Sequence, residues 1–209
     1  MQIAISTQFK HILISGFLLW LFAVVGTTLV AFTQQETIEL IADNEKRALL
    51  RNLYALLPAD QLDNDIAQDS IQLPASELLG SETSTMAYRA RKNQQPAAII
   101  FNTVAPGGYS GNIHLLIGVY LDGRLAGVRA VKHNETPGLG DAIEERKSDW
   151  ILGFNGKSLE NPQPDQWKVK RDGGEFDQIT GATITPRAVV NAVKKTLEYY
   201  QLHRERLFL

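Results

Sequence analysis

The chain contains no cysteine among its 209 residues, and this absence removes several classes of site. Without thiols there is no disulfide, no thiolate-ligated iron–sulfur cluster and no covalent c-type haem attachment. Histidine is also scarce, and the four histidines are not spaced like the ligands of a metal site: His11, His114, His133 and His203. We therefore predict no metal site, and any redox role would require an organic cofactor.

An excess of positive charge is missing as well. Beyond Lys10 the chain carries 20 Lys and Arg (the full 21 without Lys10) against 23 Asp and Glu, a formal charge of −3. Proteins that bind nucleic acid neutralise phosphates with a basic surface. The charge balance therefore predicts no nucleic-acid partner.

One long apolar run lies near the N-terminus. Residues 12–32, ILISGFLLWLFAVVGTTLVAF, contain no charged side chain, and as a helix they would span about 30 Å, the thickness of a bilayer core. A cleaved signal peptide is the alternative, but the run is long for one and no clear A-x-A cleavage site follows it before Glu36. We predict a retained single-pass transmembrane helix.

The charges on either side of this run predict its orientation. Lys10 and the amino terminus precede it, whereas Glu36, Glu39 and Asp43 follow it. The positive-inside tendency then places residues 1–11 in the cytoplasm and the rest of the chain outside, in a bacterial periplasm. The predicted location is the bacterial inner membrane.

The chain after the apolar run predicts a stalk and then one domain. Residues 36–57 have helical periodicity that ends at Pro58, and residues 59–84 are polar and irregular. We predict a stalk-like helix and linker over 33–84 and a folded domain over 85–209.

Short β-type runs and turn signals alternate within the predicted domain. The predicted strands cover 86–90, 97–101, 113–120, 125–131 and 167–169. Asp122-Gly123 between the third and fourth runs predicts a hairpin. Helices are predicted over 141–152 and 186–204. This order favours an α+β fold, an antiparallel sheet with flanking helices, over a doubly wound α/β fold.

A seven-residue segment near the C-terminus, Asp177–Thr183 (DQITGAT), precedes the last predicted helix. Thr185 would be the N-cap of that helix and Pro186 its first residue. A helix N-terminus has unpaired backbone N–H groups and a positive dipole end, which favour phosphate. Gly181 and Ala182 add little bulk, so that a phosphate would meet backbone there. Local sequence alone leaves an ordinary strand-to-helix turn as the alternative.

Two glycine-rich loops accompany this segment. Residues 106–111, PGGYSG, precede the predicted hairpin and indicate a turn. Residues 135–140, ETPGLG, follow the second hairpin strand directly. A loop with two glycines at the end of a strand would let a flat ring lie against backbone, although an ordinary tight turn explains the same residues.

Together these segments resemble the RnfG subunit of the Rnf (Rsx) ion-translocating electron-transport complex. The resemblance rests on an N-terminal anchor, the turn at 107–111, the hairpin, ETPGLG, FNGK at 154–157 and the D-x-x-[S/T]-G-A-T signature at 177–183, in matching order. It extends over nearly the whole chain and is loosest over 36–84. The corresponding subunit of the sodium-pumping NADH:quinone reductase forms a sister family with longer chains, so the compact length favours Rnf.

The resemblance implies a membrane-anchored electron carrier with covalently bound FMN. The flavin phosphate would be esterified to the hydroxyl of Thr183, in a loop with Asp177, Thr180, Gly181 and Ala182. The isoalloxazine ring would lie on a second loop, which consists of Glu135, Thr136, Pro137, Gly138, Leu139 and Gly140. No catalytic acid, base or nucleophile is expected, because electron transfer needs none.

The resemblance also implies partners. They are the other subunits of a complex that couples electron flow to Na⁺ or H⁺ movement, a flavin transferase that attaches the FMN, and the lipid bilayer. A non-redox module that recruits or stabilises other subunits is the alternative, and it leaves the Thr183 loop unexplained. A stand-alone flavoprotein reductase is a third hypothesis.

Overall fold

The computed structural model describes the backbone of residues 2–208, and the chain divides into two compact units. The N-terminal unit is Met1–Leu49 and the C-terminal unit is Leu50–Leu209. The first helix, α1 (Gln2–Leu56), contributes to both units. Residues 50–84, which the sequence assigns to a stalk and linker, thus lie within the compact C-terminal unit.

In the N-terminal unit, α1 is long and apolar enough to cross a membrane. The candidate span lies within Phe9–Leu56, and the mean hydropathy of its most apolar stretch is 2.2. Large side chains such as Leu19 and Phe22 are more than 70% exposed. Exposure of this kind is unfavourable in water and is what lipid accommodates. The apolar N-terminal helix expected from the sequence is therefore present.

A five-stranded antiparallel sheet forms the centre of the C-terminal unit, with its strands adjacent in chain order. The strands are β1 (Ser70–Leu73), β2 (Thr85–Lys92), β3 (Gln95–Gly108), β4 (Gly111–Tyr120) and β5 (Leu125–Lys132). Gly123 has φ +87° in the turn between β4 and β5, where the Asp-Gly pair predicted a hairpin. The four predicted strands between 86 and 131 and their hairpin are confirmed.

Helices cover both faces of this sheet. Helix α2 (Ile184–Leu207) packs on β3 and β4, over fully buried residues such as Ile99 and Phe101. The end of α1 covers the other face, where Leu56 lies so close to Gly127 that a Cβ there would be 2.9 Å from Leu56 Cδ2. An antiparallel sheet with flanking helices confirms the predicted α+β fold.

The prediction that residues 59–84 are irregular is wrong in part. β1 pairs with β2 from Ser70↔Tyr88 to Leu73↔Thr85, and Leu79 is fully buried. A four-residue edge strand has too few alternations to be recognised in the sequence, and its partner strand fixes it instead.

The predicted helix over 141–152 is also wrong. Two 3₁₀ segments, Gly140–Ile143 and Asp149–Phe154, occupy this region. Between them Ser148 donates from its hydroxyl to the Ala142 carbonyl (2.6 Å) and accepts from the Trp150 N–H (3.2 Å). These side-chain bonds replace the ladder of a continuous helix.

The predicted strand over 167–169 is reduced to a single bridge. Val169 pairs with Phe176 in parallel orientation, and 3₁₀ turns at Pro164–Gln166 and Lys170–Asp172 flank it. The segment nevertheless contributes to the core, because Trp167 is 4% exposed.

Candidate functional site

A surface cleft of about 430 Å³ opens where three loops of the C-terminal unit meet. These are the turn between β3 and β4, the loop 133–140 that follows β5, and the loop 177–183 that precedes α2. The start of β4 and the end of β5 lie at the same end of the sheet, since His114 pairs with Lys132. Small-molecule sites have volumes of about 300–1,000 Å³. The fold thus brings together the loops that the sequence singled out.

Most of the predicted site residues line this cleft. They are Glu135, Thr136, Leu139, Gly140, Gly181, Ala182 and Thr183. Four others lie nearby without lining it: Asp177, Thr180, Pro137 and Gly138. Three lining residues were not predicted as ligands: Tyr109, Ile184 and Thr185.

Thr183 lies at the start of α2, and its hydroxyl does not cap the helix. It is the N-cap residue of the helix, at φ −79° and ψ −27°, and its side chain makes no capping hydrogen bond. Within the described part of the chain, the backbone N–H groups of Ile184 and Thr185 have no backbone acceptor, and Pro186 has no N–H. A helix end with free donors and a positive dipole suits an anion.

The prediction that Thr185 caps α2 is wrong. The helix begins at Ile184, two residues earlier than predicted, and Thr185 is fully buried. Its hydroxyl donates a short hydrogen bond to Glu135 Oε2. The Thr185 hydroxyl, which the sequence predicted to cap α2, is therefore engaged in a tertiary contact that local sequence cannot reveal.

Asp177 anchors the beginning of the loop instead of facing the cleft. Its backbone carbonyl accepts a hydrogen bond from Trp150 Nε1 (2.6 Å), and its carboxylate lies 2.6 Å from Lys170 Nζ. That contact raises the pKa of the Lys170 ammonium. Trp150 and Lys170 both lie in 3₁₀ segments, Asp149–Phe154 and Lys170–Asp172, whose structure depends on tertiary packing.

Gly181 brings the loop before α2 into contact with the loop after β5. It has φ +81°, and a Cβ at this position would lie 3.0 Å from Leu139 Cδ2. The Ala182 N–H donates to the Ile179 carbonyl at 3.0 Å, so Gly181 is the third residue of a β-turn, where positive φ favours glycine. Thr180, the second residue, is exposed.

The second loop makes its own turn beside the cleft. The Leu139 N–H donates to the Thr136 carbonyl at 3.1 Å, and Gly138 has φ +76°. Pro137 and Gly138 are exposed at the outside of this turn, which explains why they do not line the cleft although their neighbours do.

Glu135 is the most buried ionisable side chain of the cleft, at 4% exposure. Its Oε1 accepts from the Ser110 N–H (2.9 Å) and its Oε2 accepts from the Thr185 hydroxyl. Glycines 108 and 140 make room for it, because a Cβ at either position would come within 3 Å of a carboxylate oxygen. The carboxylate thus connects its own loop with the turn between β3 and β4 and with the start of α2.

The rim of the cleft is apolar. Tyr109, Leu139 and Ile184 are 69%, 42% and 46% exposed. Ligand sites commonly combine such surfaces with a few placed polar groups. Tyr109 lies in the glycine-rich turn and Ile184 directly follows Thr183, so adjacency to the motifs was the available signal for both.

The cation closest in sequence to the start of α2 is already paired. Arg187 donates to both carboxylate oxygens of Asp172, at 2.6 and 2.5 Å, and these bonds hold the pKa of the Asp172 carboxyl below its usual value. An anion at Thr183 would therefore rely on backbone N–H groups and the helix dipole.

Comparison with known proteins matches two regions of the chain. Residues 108–198 match the FMN-binding domain family, and residues 1–56 match the RnfG N-terminal region. Relatives named as the G subunit of an ion-translocating oxidoreductase complex occur in Pseudomonas aeruginosa (50% identical, 95% of this chain and 92% of the relative), Shewanella loihica (44%, 95% and 93%) and Vibrio cholerae (47%, 92% and 92%). The chain belongs to the RnfG family.

The cleft of this RnfG-family chain fits FMN. Every residue that lines it falls between Tyr109 and Thr185, inside the matched FMN-binding domain. Free N–H groups at the start of α2 suit a phosphate, and the exposed apolar rim suits a flat ring system.

Proposed function

We propose that this protein is the membrane-anchored flavin carrier of an ion-translocating oxidoreductase complex, with FMN held in the cleft. The observation that carries the proposal is the position of the cleft, which lies wholly inside the FMN-binding domain match. The flavin supplies the electron chemistry when bound, and the protein supplies position and electrostatic environment.

The proposed attachment point is the hydroxyl of Thr183, through a phosphoester. Three threonines lie within six residues here, and their surroundings differ. The hydroxyl of Thr185 is buried and bonded to Glu135, and Thr180 is exposed outside the cleft. Thr183 lines the cleft with no capping bond, so it combines access with proximity to the helix dipole.

Within this proposal the two ends of the flavin have different environments. The N–H groups of Ile184 and Thr185 would hold the phosphate, and the apolar rim would carry the ring. Leu139, a rim residue from the other loop, lies beside the Thr183 loop, since a Cβ at Gly181 would be 3.0 Å from Leu139 Cδ2. In the proposed step the threonine hydroxyl attacks the phosphorus of an activated flavin that a flavin transferase supplies, the bond from phosphorus to the activating group breaks, and that group leaves with the hydroxyl proton. The protein then carries the mass of FMN less one water.

The membrane arrangement is also part of the proposal. Residues 1–11 would be cytoplasmic, 12–32 would span the bacterial inner membrane, 33–49 would connect, and the compact unit 50–209 would form the periplasmic flavin domain. Anchoring would hold the flavin at a high effective concentration near the other subunits. Electron flow through the complex would drive Na⁺ or H⁺ movement.

In-gel fluorescence tests the linkage. The full-length protein, made in a bacterium that contains the flavin transferase, should give a fluorescent band in a denaturing gel. Thr183→Val should be dark while it still folds, because valine has the shape of threonine and the Thr183 side chain makes no capping hydrogen bond. Thr180→Val is the matched control and should stay fluorescent.

Intact-mass measurement then identifies the adduct. The expected increase is the mass of FMN less one water, present in wild type and absent from Thr183→Val. A fluorescent Thr183→Val band would refute the assignment of the ester to Thr183. A dark wild-type band, with the transferase shown to be active, would favour a non-redox recruitment role.

A further inference from the structure

Glu135 occupies a position in which a carboxylate is costly. It is 4% exposed, and a buried charge is tolerated when hydrogen bonds replace the lost water. Both of its oxygens accept a hydrogen bond, which is the pattern of an ionised carboxylate. The site therefore contains a fixed and fully engaged negative group.

The partners of this carboxylate come from two other parts of the cleft. The Ser110 N–H belongs to the turn between β3 and β4, and the Thr185 hydroxyl belongs to the first turn of α2. The backbone N–H of Glu135 donates to His133 Nδ1 at 3.2 Å within its own loop. One side chain thus connects the loop after β5, the turn between β3 and β4, and the start of α2.

The bond to Thr185 has a further consequence for α2. The bond to Glu135 holds the first turn of α2 in place. The N–H groups of Ile184 and Thr185 in that turn have no backbone acceptor in the described part of the chain, so they can serve a ligand. The carboxylate therefore helps to hold a site for an anion in place, although its own negative charge repels an anion.

We infer that Glu135 is a positioning residue of the flavin site: it shapes the site through Ser110 and Thr185, and its buried charge opposes reduction of the bound flavin. The inference rests on the proposed function. It replaces the expectation that Glu135 is a direct ligand of the ring, because both carboxylate oxygens are already bonded within the protein.

Four variants of the full-length protein, co-produced with a flavin transferase, test the inference. Glu135→Gln removes the charge and leaves one carbonyl acceptor for two donors. Thr185→Val removes the donor to Glu135 with little change of shape, and Thr185→Ser restores a hydroxyl. Glu175→Gln makes the same chemical change as Glu135→Gln at an exposed carboxylate outside the cleft, 3.4 Å from Lys157 Nζ.

Two quantities are measured for each variant, the fraction of protein that carries flavin and the midpoint potential of the bound flavin. We expect the flavin fraction to fall several-fold in Glu135→Gln and Thr185→Val and to return towards wild type in Thr185→Ser. The potential should shift to a more positive value in Glu135→Gln, because electron addition no longer meets a buried negative charge. Glu175→Gln should match wild type in both.

The outcomes separate this inference from the proposed function. Wild type without flavin would overturn both. Flavin-loaded wild type together with an unchanged flavin fraction and potential in Glu135→Gln would overturn the inference alone. If Glu135→Gln does not fold, the Thr185 pair decides, and equal flavin fractions in Thr185→Val and Thr185→Ser would overturn the positioning role.

Discussion

Gly181→Ala is the substitution for which the structure gives the most specific expectation. Gly181 has φ +81° at the third position of a β-turn, and an added Cβ would lie 3.0 Å from Leu139 Cδ2. Two costs therefore act together, a backbone conformation that disfavours alanine and a close contact between the two loops of the cleft.

The magnitude follows from treating these costs separately. A left-handed conformation costs a residue with a Cβ about 1–2 kcal/mol. The contact adds less than about 1 kcal/mol, because Leu139 is 42% exposed and its terminal methyl can turn away. Gly173 isolates the first cost, since it also has φ +81° but a Cβ there would meet nothing within 4 Å.

Urea unfolding of the full-length protein in detergent, followed by tryptophan fluorescence, measures both variants. Trp150 reports on this loop directly through its bond to the Asp177 carbonyl. We expect Gly173→Ala to lower the urea midpoint by roughly 0.5–1 M and Gly181→Ala to lower it further, with the slope unchanged. Adding Leu139→Ala to Gly181→Ala should recover the difference between the two glycine variants.

Two outcomes would contradict this reasoning. Gly181→Ala as stable as wild type would mean that the loop is not constrained to positive φ. Gly181→Ala less destabilised than Gly173→Ala would mean that the contact with Leu139 imposes no cost, and the two cleft loops would not be packed as described.

Two further predictions concern the scaffold. Asp69 lies 2.6 Å from Arg89 and 2.7 Å from Arg91; burial raises its pKa, but the bonds to the arginines outweigh burial and keep the pKa below the usual value. The ionised carboxylate should therefore add about 1 kcal/mol to the free energy of unfolding above about pH 4, and this contribution should be lost as the pH falls through the folded-state pKa. The thermal unfolding midpoints of wild type and Asp69→Asn should then converge at low pH. Convergence at neutral pH instead would contradict this. Leu56→Ala should cost about 2–4 kcal/mol in urea unfolding, because Leu56 is 3% exposed over Gly127; a loss below about 1 kcal/mol would mean that the end of α1 is not packed on the sheet.

The elements that could be predicted from the sequence are those with strong local signals. Strands β2 to β5 have apolar runs of sufficient length, and Asp122-Gly123 specifies the turn between the last two. Helix α2 has a long apolar stripe, and its C-terminal end differs from the prediction by three residues, Leu207 against 204. Thr183 was found through its motif, and it does line the cleft.

The elements that were missed are those specified by distant partners. β1 exists through its pairing with β2. The 3₁₀ segments around Ser148 depend on side-chain bonds and on Trp150, whose indole reaches the carbonyl of Asp177. No local propensity records such contacts, because they form only when segments far apart in sequence come together.

The error at Thr185 is the most informative, because the local rule that failed there bears on the site itself. Thr-Pro before an apolar stripe is a sound cap signal, and a capping hydroxyl would occupy a donor at the start of α2. The structure instead buries that hydroxyl against Glu135, fifty residues earlier in the chain, and Thr183 becomes the cap residue without a capping bond. The contact with Glu135 thus outweighs the local capping preference of Thr185, and Thr183 lines the cleft without a capping bond.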